Sequence, residues 1–266
     1  MTRIVVLTSG KGGVGKTTCT ANLGMALAQR NQRVAVLDAD FGLRNLDLLL
    51  GLENRIVYTA LDVLAEDCRL DQALVKDKRQ PNLALLPAAQ NRSKESITPD
   101  QMAELVAKIS GAKFNFILID SPAGIEMGFK NAIVAAKEAI IVTTPEISAV
   151  RDADRVIGLL EANDIKTTRL IVNRLKPAMV QEEQMMSVQD VQDILAIPLL
   201  GVIPDDERVI VSTNRGEPLV LEQKLSLAGI AFSNVARRLL GETVPFLDLN
   251  APHDDLFSRF RRLFRG

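Results

Sequence analysis

Seven short runs of consecutive apolar residues punctuate the chain: Ile4–Leu7, Val34–Leu37, Leu83–Leu86, Phe116–Ile119, Ala139–Val142, Leu170–Val172 and Leu199–Val202. They are continuous rather than alternating, the pattern of strands covered on both faces. Between them, helical stretches are predicted over Lys16–Arg30, Pro99–Ser110, Ser148–Ala162 and Ser226–Leu240. A strand–helix–strand rhythm of this kind predicts an α/β fold, a twisted and mostly parallel sheet with helices on both faces.

The 266 residues contain no Pro/Ser-rich linker, so one domain is expected over residues 1–242. The stretch Thr243–Asp255 differs: Pro245 and Pro252 interrupt it, and residues 243–253 read as a tether to a final segment, 254–266. Hydrophobic residues make up 47% of the chain but aromatics only 4%, so aliphatic side chains must fill the core. A net charge of −1 argues against broad electrostatic capture of nucleic acid, and no specific nucleic-acid partner is expected. Cys19 and Cys68 are the two cysteines, without CxxC spacing; this excludes a cysteine-ligated zinc or iron–sulfur site built within one chain, and argues against a disulfide scaffold. Met1-Thr2-Arg3 leads straight into the first strand and no apolar run approaches the roughly 18 residues of a spanning helix, so a cytoplasmic location is expected.

The chemistry starts directly after the first strand. Gly10-Lys11-Gly12-Gly13-Val14-Gly15-Lys16-Thr17 matches GxxxxGK[ST] between a strand and a helix, the context of a P-loop. Glycines let the backbone N–H groups curl around phosphate oxygens, and the helix N-terminus adds partial positive charge. Lys16 can reach the β- and γ-phosphates, and the Thr17 hydroxyl can ligate Mg²⁺. Asp38-Ala39-Asp40 closes the second strand and Asp120 the strand Phe116–Ile119, both at the carboxyl edge where open α/β sheets bind ligands. An aspartate in that position can equally cap a helix. Asn173, after Leu170–Val172, carries an amide that both donates and accepts, which suits adenine; a polar loop residue is the plainer reading.

The last residues form a second pattern. On a helix at 100° per residue, Leu256, Phe257, Phe260, Leu263 and Phe264 fall within an arc of about 120°, with Arg259, Arg261, Arg262 and Arg265 opposite. A docked core helix, a partner-binding helix and a membrane-surface helix are the three readings; bulky apolar residues backed by arginines favour an anionic membrane surface. Partial insertion yields about 1 kcal/mol per apolar side chain, and each arginine roughly 1 kcal/mol more. Ordering the segment costs about 1 kcal/mol per residue, so a single tail binds marginally.

Lys11, with Gly12-Gly13-Val14-Gly15-Lys16-Thr17-Thr18, resembles the deviant Walker A motif of the MinD/ParA family of ATPases. The resemblance extends to Asp40–Asp47, Asp120–Glu126, Pro145–Arg155, Gly201-Val202-Ile203-Pro204 and the tail, and is nearest to the cell-division branch of that family. It implies an ATP hydrolase that uses Mg²⁺ and pairs as a homodimer on binding ATP, with Lys11 crossing to the partner's triphosphate. It also implies that Asp40, or alternatively Asp38, orients the attacking water, that Asp120 holds Mg²⁺ through water, and that residues 121–126 form a switch loop. Asn173, Pro204 and Asp206 match the adenine-contacting loops, and Arg151, Asp152 and Asp154 a partner surface. The implied partners are a MinC-type inhibitor of FtsZ assembly, a MinE-type stimulator of hydrolysis and the anionic membrane. A dimer would present two tails and gain avidity on the order of a hundredfold, placing the ATP form on the inner face of the cell membrane. A flagellar-number regulator and a ParA-type partition ATPase are the alternatives within the same family.

Overall fold

A computed structural model of the chain describes residues 2–41, 43–89 and 97–249. In chain order the elements are β1 (Arg3–Thr8), α1 (Lys16–Ala28), β2 (Val34–Asp38), α2 (Leu46–Leu50), α3 (Ala60–Leu64), α4 (Leu70–Ala73), β3 (Val75–Lys76) and β4 (Leu83–Leu86). Then follow α5 (Pro99–Gly111), β5 (Phe116–Asp120), α6 (Met127–Ile133), β6 (Glu138–Thr143), α7 (Ile147–Ala162) and β7 (Thr167–Leu175). The remainder is α8 (Pro177–Gln181), α9 (Val188–Leu195), β8 (Leu199–Pro204), α10 (Arg208–Arg215) and α11 (Leu227–Leu239). Each of the seven apolar runs became a strand. The short helices and β3 were not foreseen.

One eight-stranded sheet runs β3-β4-β2-β5-β1-β6-β7-β8, parallel throughout except for the β3–β4 pair. Strand residues alternate between two cores: Val5 and Leu7 face one side and Val6 the other, all fully buried. Residues of α1, α2 and α11 cover the first side; α5, α6, α7 and α9 cover the second. Double coverage is why the strands lack the polar alternation of a half-exposed sheet. The helix after β1 packs on one face and the helix after its neighbour β6 on the other. The crevice this leaves at the carboxyl ends of β1 and β6 is where such sheets bind ligands.

Helix starts follow local chemistry. Thr98 accepts from the Gln101 amide ahead of Pro99, and Ser226 from the Gly229 amide, so α5 and α11 open on capping side chains. The opening of α1 has no such side chain: Gly15, at φ +92°, precedes it. A helix whose first N–H groups meet no side-chain cap is prepared to receive an acceptor from elsewhere.

The stretch expected to be a tether lies against the domain at its start. Arg238 donates to the carbonyls of Leu200, Val244 and Pro245 and stacks 4.0 Å from the centroid of the Phe246 ring. Leu247 and Leu249 pack against the two cores. The predicted amphipathic segment 254–266, including Leu256, Phe257, Arg259, Phe260, Arg261, Arg262, Leu263, Phe264 and Arg265, lies outside the described residues.

Candidate nucleotide site

The phosphate loop is shaped by contacts that only glycine permits. A Cβ on Gly10 would lie 2.3 Å from the backbone carbonyl of Asp152 in α7, and one on Gly15 would meet the Asn173 amide at 2.3 Å. Gly13 and Gly15 hold φ of +79° and +92°. The Asn173 Nδ2 donates to the Val14 carbonyl at 2.7 Å, so β7 pins the loop from below. Asn173 is buried, and its donor serves the protein's own backbone; this narrows the role foreseen for it at the base.

Behind the loop, three strand ends bring the charges together. Register pairs Asp120 with Leu7 of β1 and with Asp38 of β2. Lys16 Nζ lies 3.6 Å from Asp120 Oδ1, and the Thr20 hydroxyl donates to the same oxygen at 3.0 Å. Burial pushes the Asp120 carboxyl up, while Lys16, Thr17 and Thr20 pull it back. Asp38 is likewise buried; desolvation and then the nearby Asp120 raise it to about 7. Its two oxygens accept from the Asp40 and Leu46 amides at 3.0 and 3.3 Å. Asp38 therefore ties Asp40 to Leu46 at the two ends of a loop, whereas Asp40 itself sits half-buried at its lip. Burial also pushes the Cys19 thiol up to about 12, leaving it without nucleophilic character.

Beyond Gly15 and Thr18 opens a cleft of about 1180 Å³, bounded by Asn173, Pro204, Asp206 and Phe232 on one side and Glu146 and Ile147 on the other. Its volume is ample for a nucleoside. Lys11 sits at the rim, its Nζ 3.1 Å from Ser148 Oγ and 3.6 Å from Glu146 Oε2. On α7, Arg151 and Asp154 are exposed and Asp152 is half-buried, paired with Arg155 at 3.4 Å.

Residues 5–219 match the family described as the CobQ/CobB/MinD/ParA nucleotide binding domain. Over all 266 residues of both chains, the sequence is 66% identical to the septum site-determining protein MinD of a Synechocystis species. The chain belongs to the MinD family. Among solved structures, the MinC:MinD cell division complex of Aquifex aeolicus matches with a TM-score of 0.85 at 50% identity, covering 91% of this chain and 98% of that one. A Pyrococcus horikoshii MinD complexed with Mg-ADP matches at 0.81 and 35% identity, covering 90% and 96%. A ParA-family ATPase from Chlorobium tepidum, 22% identical, shares the fold alone. MinD membership makes this a nucleotide-binding P-loop ATPase.

Three further residues lie at this nucleotide site. Thr20, one turn after Lys16, steadies Asp120; the spacing of four on one helix was the available signal. Glu146 and Ser148, more than 130 residues from Lys11, gave no such signal. Among the described residues no cluster of three or more Cys, His, Asp or Glu side chains could hold a metal ion alone. Thr17 and Asp120 are hard oxygen donors that suit Mg²⁺ when phosphate oxygens and water supply the rest of the shell. No helix among the described residues is long and apolar enough to cross a membrane.

Proposed function

We propose that this chain is a Mg²⁺-dependent ATP hydrolase that pairs on binding ATP, attaches to anionic membrane through residues 254–266, and positions the division septum. In this reading it does so by recruiting a MinC-type inhibitor and is released when a MinE-type partner stimulates hydrolysis. The observation that carries the reading is Lys11. It is half-exposed at the mouth of the site and held by exposed groups only; in this reading it swings toward a second subunit's triphosphate.

In the proposed cycle the triphosphate lies along residues 10–18, with its β- and γ-oxygens facing the amides of the glycine loop and Lys16. Lys16 leaves Asp120 for phosphate. Thr17 and, through water, Asp120 would hold Mg²⁺, which when bound would supply positive charge to offset that of the phosphates. Asp40, at the lip of the loop that Asp38 organises, orients water toward the γ-phosphorus. Lys11 of the facing subunit stabilises the charge that develops on the transferred group, the part an arginine finger plays elsewhere. Residues 121–126 respond to the γ-phosphate, and Gly124, at φ +89° with its amide on the Ser9 carbonyl, ties that loop to the phosphate loop. The base end of the cleft, with Asn173, Pro204 and Asp206, takes adenine. Arg151, Asp152 and Asp154 offer the surface for partners; support comes from the Aquifex protein of the same fold, which forms a complex with MinC. The domain reading is likewise proposed as a 1–242 body, a 243–253 connector and a 254–266 membrane helix.

Vesicle sedimentation tests the cycle. Full-length chain and a chain truncated before Asp254 are mixed with anionic phospholipid vesicles and ATP, ADP or no nucleotide. Pelleting of the full chain with ATP alone, lost on truncation, is expected. Pelleting indifferent to nucleotide refutes the coupling of pairing to attachment.

A further inference from the structure

The loop bearing Asp40 and the wall of the base cleft come from distant parts of the chain, yet each is extended by a short helix, and the two helices end at one joint. Asp40 follows Asp38, to whose carboxylate its amide donates, and the first amide of α2, that of Leu46, donates to the same carboxylate. The wall 204–207 runs into α10, where the Arg208 amide donates to Asp206 at 2.9 Å. Helix α2 stops at Gly51 and α10 at Gly216, both at φ +61°. There the backbones touch: a Cβ on Gly216 would lie 2.4 Å from Gly51 Cα, and one on Gly51 would lie 2.7 Å from the Gly216 oxygen.

Two helix C-termini in contact bring together two negative poles. Arg79 lies between them. Its Nη2 donates to the Leu50 carbonyl at 2.6 Å and its Nη1 to the Gly216 carbonyl at 2.8 Å. The guanidinium is held from behind by buried Asp77, through Nε at 3.1 Å and Nη2 at 2.6 Å. Burial pushes the Asp77 carboxyl up, but the Arg79 side chain and the Arg79 and Gln80 amides more than offset it, so it lies below the usual range and keeps its charge. The planar fork makes four bonds, two to the carboxylate and one to each carbonyl; an ammonium has only three donors and no fixed fork.

We propose that Arg79 is a positioning residue that locks α2 to α10, so that filling the base end of the cleft sets the loop that carries Asp40. The inference rests on the nucleotide site and on the part given to Asp40 above. A base seated against 204–207 restrains α10; the joint passes that restraint to α2, and thence through the Leu46–Asp38–Asp40 contacts to Asp40. Phosphates alone, held by the glycine loop, engage only one end of this linkage.

Hydrogen exchange of the full chain measures the linkage without any turnover. ADP and pyrophosphate share their phosphates, so the difference between them isolates the nucleoside. In the native chain, ADP is expected to slow exchange over both 208–216 and 46–52 by about fivefold or more relative to pyrophosphate. In Arg79→Ala, the nucleoside-specific slowing is expected to persist at 208–216 and vanish at 46–52. Arg79→Lys, which restores charge and one contact, is expected to fall between, and unchanged exchange over 116–120 shows that either variant is folded. The proposal is overturned if 46–52 in the native chain ignores the nucleoside, if it still responds in Arg79→Ala, or if 208–216 loses its response as well. Phosphate release by Asp40→Ala is measured in parallel. Wild-type turnover by that variant removes the water-orienting assignment, and with it the consequence for catalysis, while leaving the exchange result standing as a statement about the joint.

Discussion

Lys11→Ala is the perturbation with the largest expected effect. In the isolated chain the ammonium is held by Glu146 at 3.6 Å and Ser148 at 3.1 Å, with the Lys11 and Glu146 side chains 45% and 58% exposed. Ion pairs as exposed as this one are worth about 0.5 kcal/mol, so releasing Lys11 costs about a factor of two in population. A cation delivered to the phosphoryl group from a second subunit is worth roughly a thousandfold in rate, about 4 kcal/mol. The local contact cannot compete with the catalytic one proposed for Lys11. Phosphate release at saturating ATP, with anionic vesicles present, is therefore expected to fall by roughly three orders of magnitude in Lys11→Ala. In Glu146→Ala it is expected to hold or to rise by up to about twofold. ADP affinity in Lys11→Ala should stay within a few-fold of the native chain, because the loop amides and Lys16 do the holding. Retention of more than about a tenth of the native rate by Lys11→Ala refutes the reasoning. So does a Glu146→Ala variant as slow as Lys11→Ala, which would make the resting contact a working one.

Two other perturbations probe the scaffold. Asn173→Asp sets a carboxylate oxygen against the Val14 carbonyl, in place of a buried donor bond of 2.7 Å. Nucleotide affinity is expected to drop by about tenfold or more, read by calorimetric titration with ADP, and unchanged affinity would detach β7 from the loop's shape. Glu138→Gln tests the far edge of the sheet, where the carboxylate accepts from Arg3 at 2.8 and 2.7 Å and from Arg169 at 2.9 Å. The Arg3 hydrogen bonds, foremost, hold Glu138 below the usual carboxylate range. A depressed folded value stabilises above the unfolded pKa of about 4.3 and is lost as pH falls through the folded value. The variant should thus lose about 2 kcal/mol near pH 7, discounted for partial exposure, and the gap should close below about pH 4. Denaturant melts at both pH values decide, and a gap independent of pH counts against the charge.

The strands were legible because burial on both faces writes an uninterrupted apolar run, which survives without any knowledge of neighbours. Strand β3, two residues long, and α2, α3 and α4, of four or five residues, are too short for any period to register. They stand because α1 covers α2, because α5 and α4 pack against α3, and because β3 pairs with β4. The phosphate loop was legible because its chemistry is contiguous. Asp38 and Asp40 were not separable in sequence, for which of two carboxylates folds the loop depends on where the Leu46 amide comes to lie. Asn173 was found for its amide, but its bond to Val14 spans 159 positions and could not be read. The clasp of Arg79 on Leu50 and Gly216 is hidden for the same reason.

The contact between Gly10 and the Asp152 backbone has a thermodynamic corollary. With no side chain between them, the mouth of the phosphate loop and the first turns of α7 share one boundary, and neither can shift alone. If a protein docking on Arg151 and Asp154 grips more tightly when the triphosphate is in place, reciprocity requires the triphosphate to be held more tightly when that protein is docked, by the same factor. Cargo and fuel then report on each other across the width of a single missing methyl group.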